Sequence, residues 1–193
     1  MDTFIKESTQ QSERVAKAKV LITKRMDTWF MGEPLKPNGV SDAILGQCLL
    51  PRIILSKIDS EYSFALIKYI HELSCPNFRL MALYDRLFKA NRLRGMLFTC
   101  TVQEGVYLGH FFHLILRELN KWHKSSADYE KEAIGKSKRS GGYLGFATAF
   151  DEEGHPTSHL DHAEFQDVLY GWHKNINLAL KACLSGTEWT HIR

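Results

Sequence analysis

The side chains most able to do chemistry here are histidines, nine of them in 193 residues. His155, His159 and His162 lie close together, with His173 further on. A zinc ion needs three or four ligands in tetrahedral array. His159 and His162, at i and i+3, could share a helix face, but Pro156 sets His155 in a loop and no cysteine is near. The group reads better as a solvated helix start, and no metal is expected. His110 and His113 read as the polar edge of an apolar helix. Asp151, Glu152 and Glu153 sit on a glycine-bearing turn, whereas paired catalytic carboxylates need a pocket and distinct environments. No Gly-x-Ser-x-Gly, phosphate-loop or His-Glu-x-x-His pattern occurs. Gly141-Gly-Tyr-Leu-Gly145 has neither the strand nor the Lys-Ser/Thr of a phosphate loop. No catalytic, cofactor-binding or metal-binding residue is therefore expected, and the chain is not read as an enzyme.

One basic run remains. Lys136, Lys138 and Arg139 stand in a Gly/Ser setting and could touch nucleic-acid phosphates by releasing counterions. Three charges are few for stable binding, so a solvated loop is the alternative. Lys17, Lys19, Lys24 and Arg25 on the first helix raise the same choice. A net charge of +3 does not itself demand a nucleic-acid partner. The four cysteines, Cys48, Cys75, Cys100 and Cys183, show no Cys-x-x-Cys spacing. Cys48 and Cys183 fall in apolar helical patterns, where a thiol behaves as a small hydrophobe. That usage fits a reducing compartment, cytosol or nucleus.

The elements around these residues read as helices. Residues 5–31 are rich in helix formers, with apolar Val15, Ala18, Leu21, Ile22, Met26 and Trp29. Gly32 to Gly39, with Pro34 and Pro37, stops that helix. Ser41-Asp42 is expected to cap the next, which runs to about residue 56 with a kink at Pro51. Asp59-Ser60 opens a helix with Tyr62, Ala65, Leu66, Tyr69, Ile70 and Leu73 on one face. After a turn at Cys75-Pro-Asn77, Leu80, Leu83, Tyr84, Leu87 and Phe88 repeat the face, and Asn91 to Gly95 closes the helix. Residues 103–124 form the most apolar helix. Leu114 and Leu116 widen its stripe, so it should meet neighbours on more than one side.

Residues 135–158 read as a loop. Leu160-Asp161 opens the last long helix, with Phe165, Val168, Leu169, Trp172, Ile176, Ala179, Leu180 and Cys183 along its stripe and Gly186 as cap. Trp122, Phe165, Trp172 and Cys183 are the expected core anchors. No period-two alternation lasts a strand's length. With 44% hydrophobic residues the chain can bury a core, and no apolar run is long enough to span a bilayer, so no membrane contact is expected. The fold expected is all-α, an α-solenoid-like array of irregular antiparallel helical repeats. Its parts are an N-terminal helix and linker (1–39), helical hairpins (40–134), the loop (135–158), and a C-terminal helix with the start of another (159–193). Such an array needs a capping element, and the chain stops at Arg193 shortly into a new pattern. It is therefore expected to be a piece of a longer protein.

Four motifs in order then carry a resemblance. They are Cys48-Leu-Leu-Pro-Arg52; Cys75-Pro-Asn-Phe78 with Tyr84-Asp-Arg86; Trp122-His123 with Tyr129-Glu-Lys-Glu132; and a C-terminal set. That set comprises Leu160-Asp-His-Ala-Glu-Phe165, Val168, Trp172-His173, Cys183-Leu184, Gly186 and Trp189-Thr-His-Ile-Arg193. Over residues 40–193 the chain resembles the family of the second and largest subunits of the THO complex, the core of the TREX transcription–export machinery. It departs from the pattern in a longer Lys/Ser/Gly-rich loop between Gly135 and Phe146. The resemblance implies a long, non-catalytic nuclear scaffold without cofactors. Its implied partners are the other THO subunits, a DEAD-box RNA helicase and, through the complex, mRNA. Its implied work is mRNP assembly, transcription-coupled mRNA processing and nuclear mRNA export. Direct RNA or DNA binding by this segment is the alternative reading.

Overall fold

The computed structural model describes residues 2–29, 37–135, 141–152 and 155–186. Helices dominate. In order they are α1 (Asp2–Arg25), α2 (Pro37–Ala43), α3 (Leu50–Ile53), α4 (Lys57–Leu73), α5 (Leu80–Leu87), α6 (Ala90–Thr99), α7 (Val102–Lys124), α8 (Ser126–Asp128) and α9 (His162–Leu184). Two π-helical segments, Ile44–Leu49 and Tyr129–Ile134, continue α2 and α8. Among the described residues the fold is all-α apart from one small hairpin, β1 (Ala147–Phe150) and β2 (Pro156–His159). No helix among the described residues is long and apolar enough to cross a membrane.

Helix starts are fixed by local hydrogen bonds. Thr101 caps α7, with Glu104 reaching back 2.7 Å to the Thr101 N–H. Asp161 and Glu164 form the same reciprocal box at α9. Each box satisfies donors that a helix start leaves orphaned. Two starts differ from the sequence expectation. Ser56, not Asp59-Ser60, caps α4; its hydroxyl accepts from the Asp59 N–H at 3.0 Å. The helix expected to begin after Ser41-Asp42 begins at Pro37, and the Asp42 carboxylate is drawn instead to Arg92 at 2.7 Å and Arg86 at 3.6 Å. Pro51 lacks the N–H that would close the turn before it. The chain there is wound as a π-helix, and Cys48 on it is exposed rather than packed.

Asn91 to Gly95 does not end a helix. The break comes earlier, at Phe88 and the extended Lys89, and α6 runs through that cluster with Leu93 buried. Phe88 is itself fully buried, so the chain turns where the ring enters the core. The buried face of α4 is also rotated from the expected one. Ser60, Ser63, Ile67, Ile70 and His71 point inward, while Tyr62 is exposed beneath the Arg52 guanidinium. Small serines let α4 approach α7 closely: the Ser60 hydroxyl donates to the Tyr107 carbonyl at 3.1 Å.

The span 135–158, read as a loop, carries structure. Residues Leu144–Phe146 form a 3-10 turn, and β1 pairs with β2 antiparallel, Ala147 opposite His159 and Phe150 opposite Pro156. The register shifts twice within four residues. Bulges of that kind erase the alternation by which a strand is recognised. Gly142 has φ +80°, and a Cβ there would lie 2.7 Å from the Ile134 carbonyl oxygen. Gly145 lets the 3-10 turn press against His71, whose ring a Cβ would overlap.

The core has two aromatic centres. In one, Trp122, Tyr129, Phe146 and Phe165 meet, Tyr129 stacking on Phe165 at 4.6 Å. In the other, Trp172 lies 5.8 Å from Tyr84 and 5.6 Å from Phe88, which touches Phe112. Leu114, Ile115 and Leu119 are buried along α7, which packs against α3, α4 and α9. Cys183, expected in the core, is only half-buried, and the C-cap of α9 is Ser185, in a right-handed conformation. The segment 187–193, including the expected start of a new helix, lies outside the described residues.

These placements separate two kinds of substitution. Trp172→Ala should destabilise the chain by about 3–5 kcal/mol, the usual cost of truncating a buried Trp; Cys183→Ala should leave the denaturation midpoint nearly unchanged. Gly145→Ala should lower the melting temperature because His71 must move. Gly109→Ala, on an exposed helix face with open space around it, should raise stability by up to about 1 kcal/mol. Chemical denaturation of the four variants beside the parent checks both pairs.

A candidate docking groove between the two longest C-terminal helices

The two helices with capping boxes, α7 and α9, are 23 residues each. They meet where the end of α7 faces the start of α9. His162 Nε2 lies 2.9 Å from the Trp122 carbonyl, and the Gln166 amide donates to the His123 carbonyl at 3.5 Å. At the other end His113 faces His173, so the helices run antiparallel. Between them lies an open groove of about 650 Å³. Leu116 and Leu169 form its floor, and its rims carry His113, Arg117, Asn120 and His123 on one side and Gln166, Tyr170 and His173 on the other. No carboxylate lines it among the described residues.

This groove follows from how the two tryptophans pack. The Trp122 indole points inward and donates to Glu132 Oε2 at 3.1 Å; the Trp172 indole donates to Asp85 Oδ1 at 2.7 Å. Burial raises the Asp85 carboxyl above its ordinary range, against the lowering effect of that bond. The residues next along each helix, His123 and His173, must then face outward, and they do. In the sequence the two pairs, Trp122-His123 and Trp172-His173, stand out only as motifs. A signal was present, since successive helical residues point about 100° apart, as 3.6 residues per turn requires.

The other candidate residues fall elsewhere. Trp122, Phe165 and Trp172 are buried at 1%, 0% and 3% exposure. Lys136, Lys138 and Arg139 lie outside the described residues. His159 is held 2.9 Å from the Tyr143 carbonyl, and exposed His155 pairs with Asp151. No group of three or more metal-ligating side chains occurs among the described residues. His110 contacts Glu61 at 3.0 Å. Lys17, Lys24 and Arg25 are exposed, and so is Lys19, whose ammonium sits over the Tyr69 ring. From Phe4 to Leu21 α1 is exposed, Phe4, Ile5, Val15, Val20 and Leu21 included.

The one buried carboxylate of α7 among the described residues points away from the groove. Glu118 pairs with Lys68 of α4. Burial pushes its carboxyl above the usual range, more than the Lys68 ammonium pulls it down.

What this arrangement presents is a mostly helical protein with exposed apolar and cationic side chains among its described residues. The chain belongs to the family described as transcription factor/nuclear export subunit protein 2, whose pattern it matches over residues 1–193. It is 32% identical over 197 residues to THO complex subunit 2 of Homo sapiens and equally to that of Mus musculus. It is 28% identical over 196 residues to THO complex subunit 2 of Arabidopsis thaliana. All of this chain is covered in each comparison, but only 12% of the mammalian proteins and 10% of the plant one. The chain thus spans about an eighth of the length of these relatives. No solved structure matches it.

The electrostatics of Glu118 give a pH test. A carboxyl whose folded-state pKa is raised binds its proton more tightly when folded. Its contribution therefore favours folding at pH below the ordinary glutamate value and is lost as pH rises to the raised one. Glu118→Gln should flatten that part of the stability profile. Denaturation midpoints across the acid-to-neutral range, for parent and variant, provide the check; an unchanged slope would place the dependence on other groups.

Proposed function

We propose that this chain is a non-catalytic scaffold segment of the THO complex, part of a longer irregular helical array. In this reading it works in the nucleus and holds other THO subunits for mRNP assembly, transcription-coupled mRNA processing and nuclear mRNA export. It meets a DEAD-box RNA helicase and mRNA through the assembled complex. The observation that carries the reading is the match of all 193 residues to relatives named THO complex subunit 2. The exposed faces of α7 and α9 support it, since apolar side chains facing solvent at helical spacing suit partner helices.

Direct nucleic-acid binding is the competing reading. It would draw on Lys136, Lys138 and Arg139 with the exposed lysines of α1. Phosphate contacts give an affinity that falls steeply as salt rises.

One pair of measurements decides between them. Deleting the region equivalent to residues 40–193 from the full-length subunit should release partner subunits on affinity purification, and intact co-purification would refute the scaffold role. A salt series of RNA binding should show no loss of affinity when Lys136, Lys138 and Arg139 are changed to Ala.

A further inference from the structure

The groove between α7 and α9 continues beyond its walls as a seam. On α9, Gln166, Tyr170, His173, Asn177, Leu180 and Leu184 recur at alternating steps of four and three residues. That spacing is the seven-residue rhythm by which one helix receives another. All of it lies on the face turned from the core, with Tyr170 73% and Leu184 81% exposed. From Gln166 to Leu184 the seam runs about 27 Å at 1.5 Å per residue, about five helical turns. Val102, Val106 and Gly109, on α7 before the groove, are exposed too.

Charge narrows the occupant. Arg117 stands in the groove wall, and exposed Lys174 and Lys181 flank the seam. Exposed Asp167, next to Gln166 and on the same flank as Lys174 and Lys181, and Glu104, between Val102 and Val106 of α7, lie outside the groove lining. A nucleic acid would leave Leu180 and Leu184 without a role and find a single guanidinium among the lining side chains. Stable phosphate binding needs several such cations. A seam that sets apolar Tyr170, Leu180 and Leu184 among polar Gln166, His173 and Asn177, flanked by Lys174 and Lys181, instead matches an amphipathic helix with acidic flanks.

We infer that the α7–α9 groove and its seam dock an amphipathic helix of another protein chain, apolar along one edge and acidic along its flanks. The inference rests on the scaffold reading and makes it specific: one partner, one surface, one polarity of charge.

The test uses the full-length subunit in its assembled complex. A photo-crosslinking residue replaces Tyr170 in one preparation and Leu180 in another, and cross-linked peptides are mapped by mass spectrometry. Both positions should report one helical, acid-rich segment of a different subunit. Arg117→Glu combined with Lys174→Glu should lower recovery of that subunit at least tenfold while the remaining subunits stay bound, which also shows that the fold is kept. Charge reversal on the partner segment should restore recovery. Cross-links to RNA alone, to a distant part of the same chain, to a segment without acidic residues, or to nothing would overturn the docking inference. So would undiminished recovery of the cross-linked subunit in the double variant. Those results leave the scaffold reading standing, because its own failure would show as intact co-purification after the deletion described above.

Discussion

An indole can be buried only where its N–H finds an acceptor, and two such rings tie this chain together. Trp122 on α7 reaches Glu132, and Trp172 on α9 reaches Asp85 beside α5's end. Each bond joins residues remote in the fold's local wiring, ten and eighty-seven positions apart. The rings around them follow from those anchors. Phe146 and Phe165 close on Trp122, and Tyr84 and Phe88 close on Trp172. Satisfying both indoles fixes the rotation of α7 and α9 about their own axes. The same rotation that hides the tryptophans exposes the histidines that follow them.

Much of this was legible in the residues. The stripes on residues 80–88 and 103–124 describe faces that are buried, and Asp161 does open α9. What failed did so for tertiary reasons. The apolar pattern of α4 pointed to Tyr62, yet the helix turns serines toward α7 because small side chains permit close approach. Ser41-Asp42 has the composition of a cap, but Asp42 gains more from Arg86 and Arg92, residues far along the chain that no local window contains. The hairpin was invisible because its strands are short and bulged. Its place is set by Phe146 and Tyr143, fully buried in the core, and by the Tyr129 hydroxyl donating to the Leu160 carbonyl.

The candidate site had a different fate. In the sequence His113 reads as a polar edge and His123 and His173 belong to separate Trp-His motifs, and no motif joins them. A groove between two helices is a property of pairing and rotation, and sequence periodicity reports rotation only relative to an assumed core. Once the core is known, the leftover periodicity becomes informative. On α9 the inward stripe of Phe165, Leu169, Trp172 and Ala179 uses one side of the helix, and Tyr170, Leu180 and Leu184 remain on another. A helix with one buried face needs only one apolar stripe. The second stripe contributes nothing to this core.

That surplus bears on the kind of protein this is. Single exposed apolar side chains are ordinary and call for no explanation. On α9 they are ordered, at Tyr170, Leu180 and Leu184, and on α7 Val102 and Val106 lie four residues apart. Leaving such stripes in water forgoes burial worth roughly 25 cal/mol per Å². The loss is recovered if neighbouring chains cover the faces. The chain spans about an eighth of the length of relatives that are themselves named as subunits. Under the scaffold proposal, apolar area not spent on this core is available for neighbouring chains, and Arg117 in the α7–α9 groove with Lys174 and Lys181 beside it limits which of them fit.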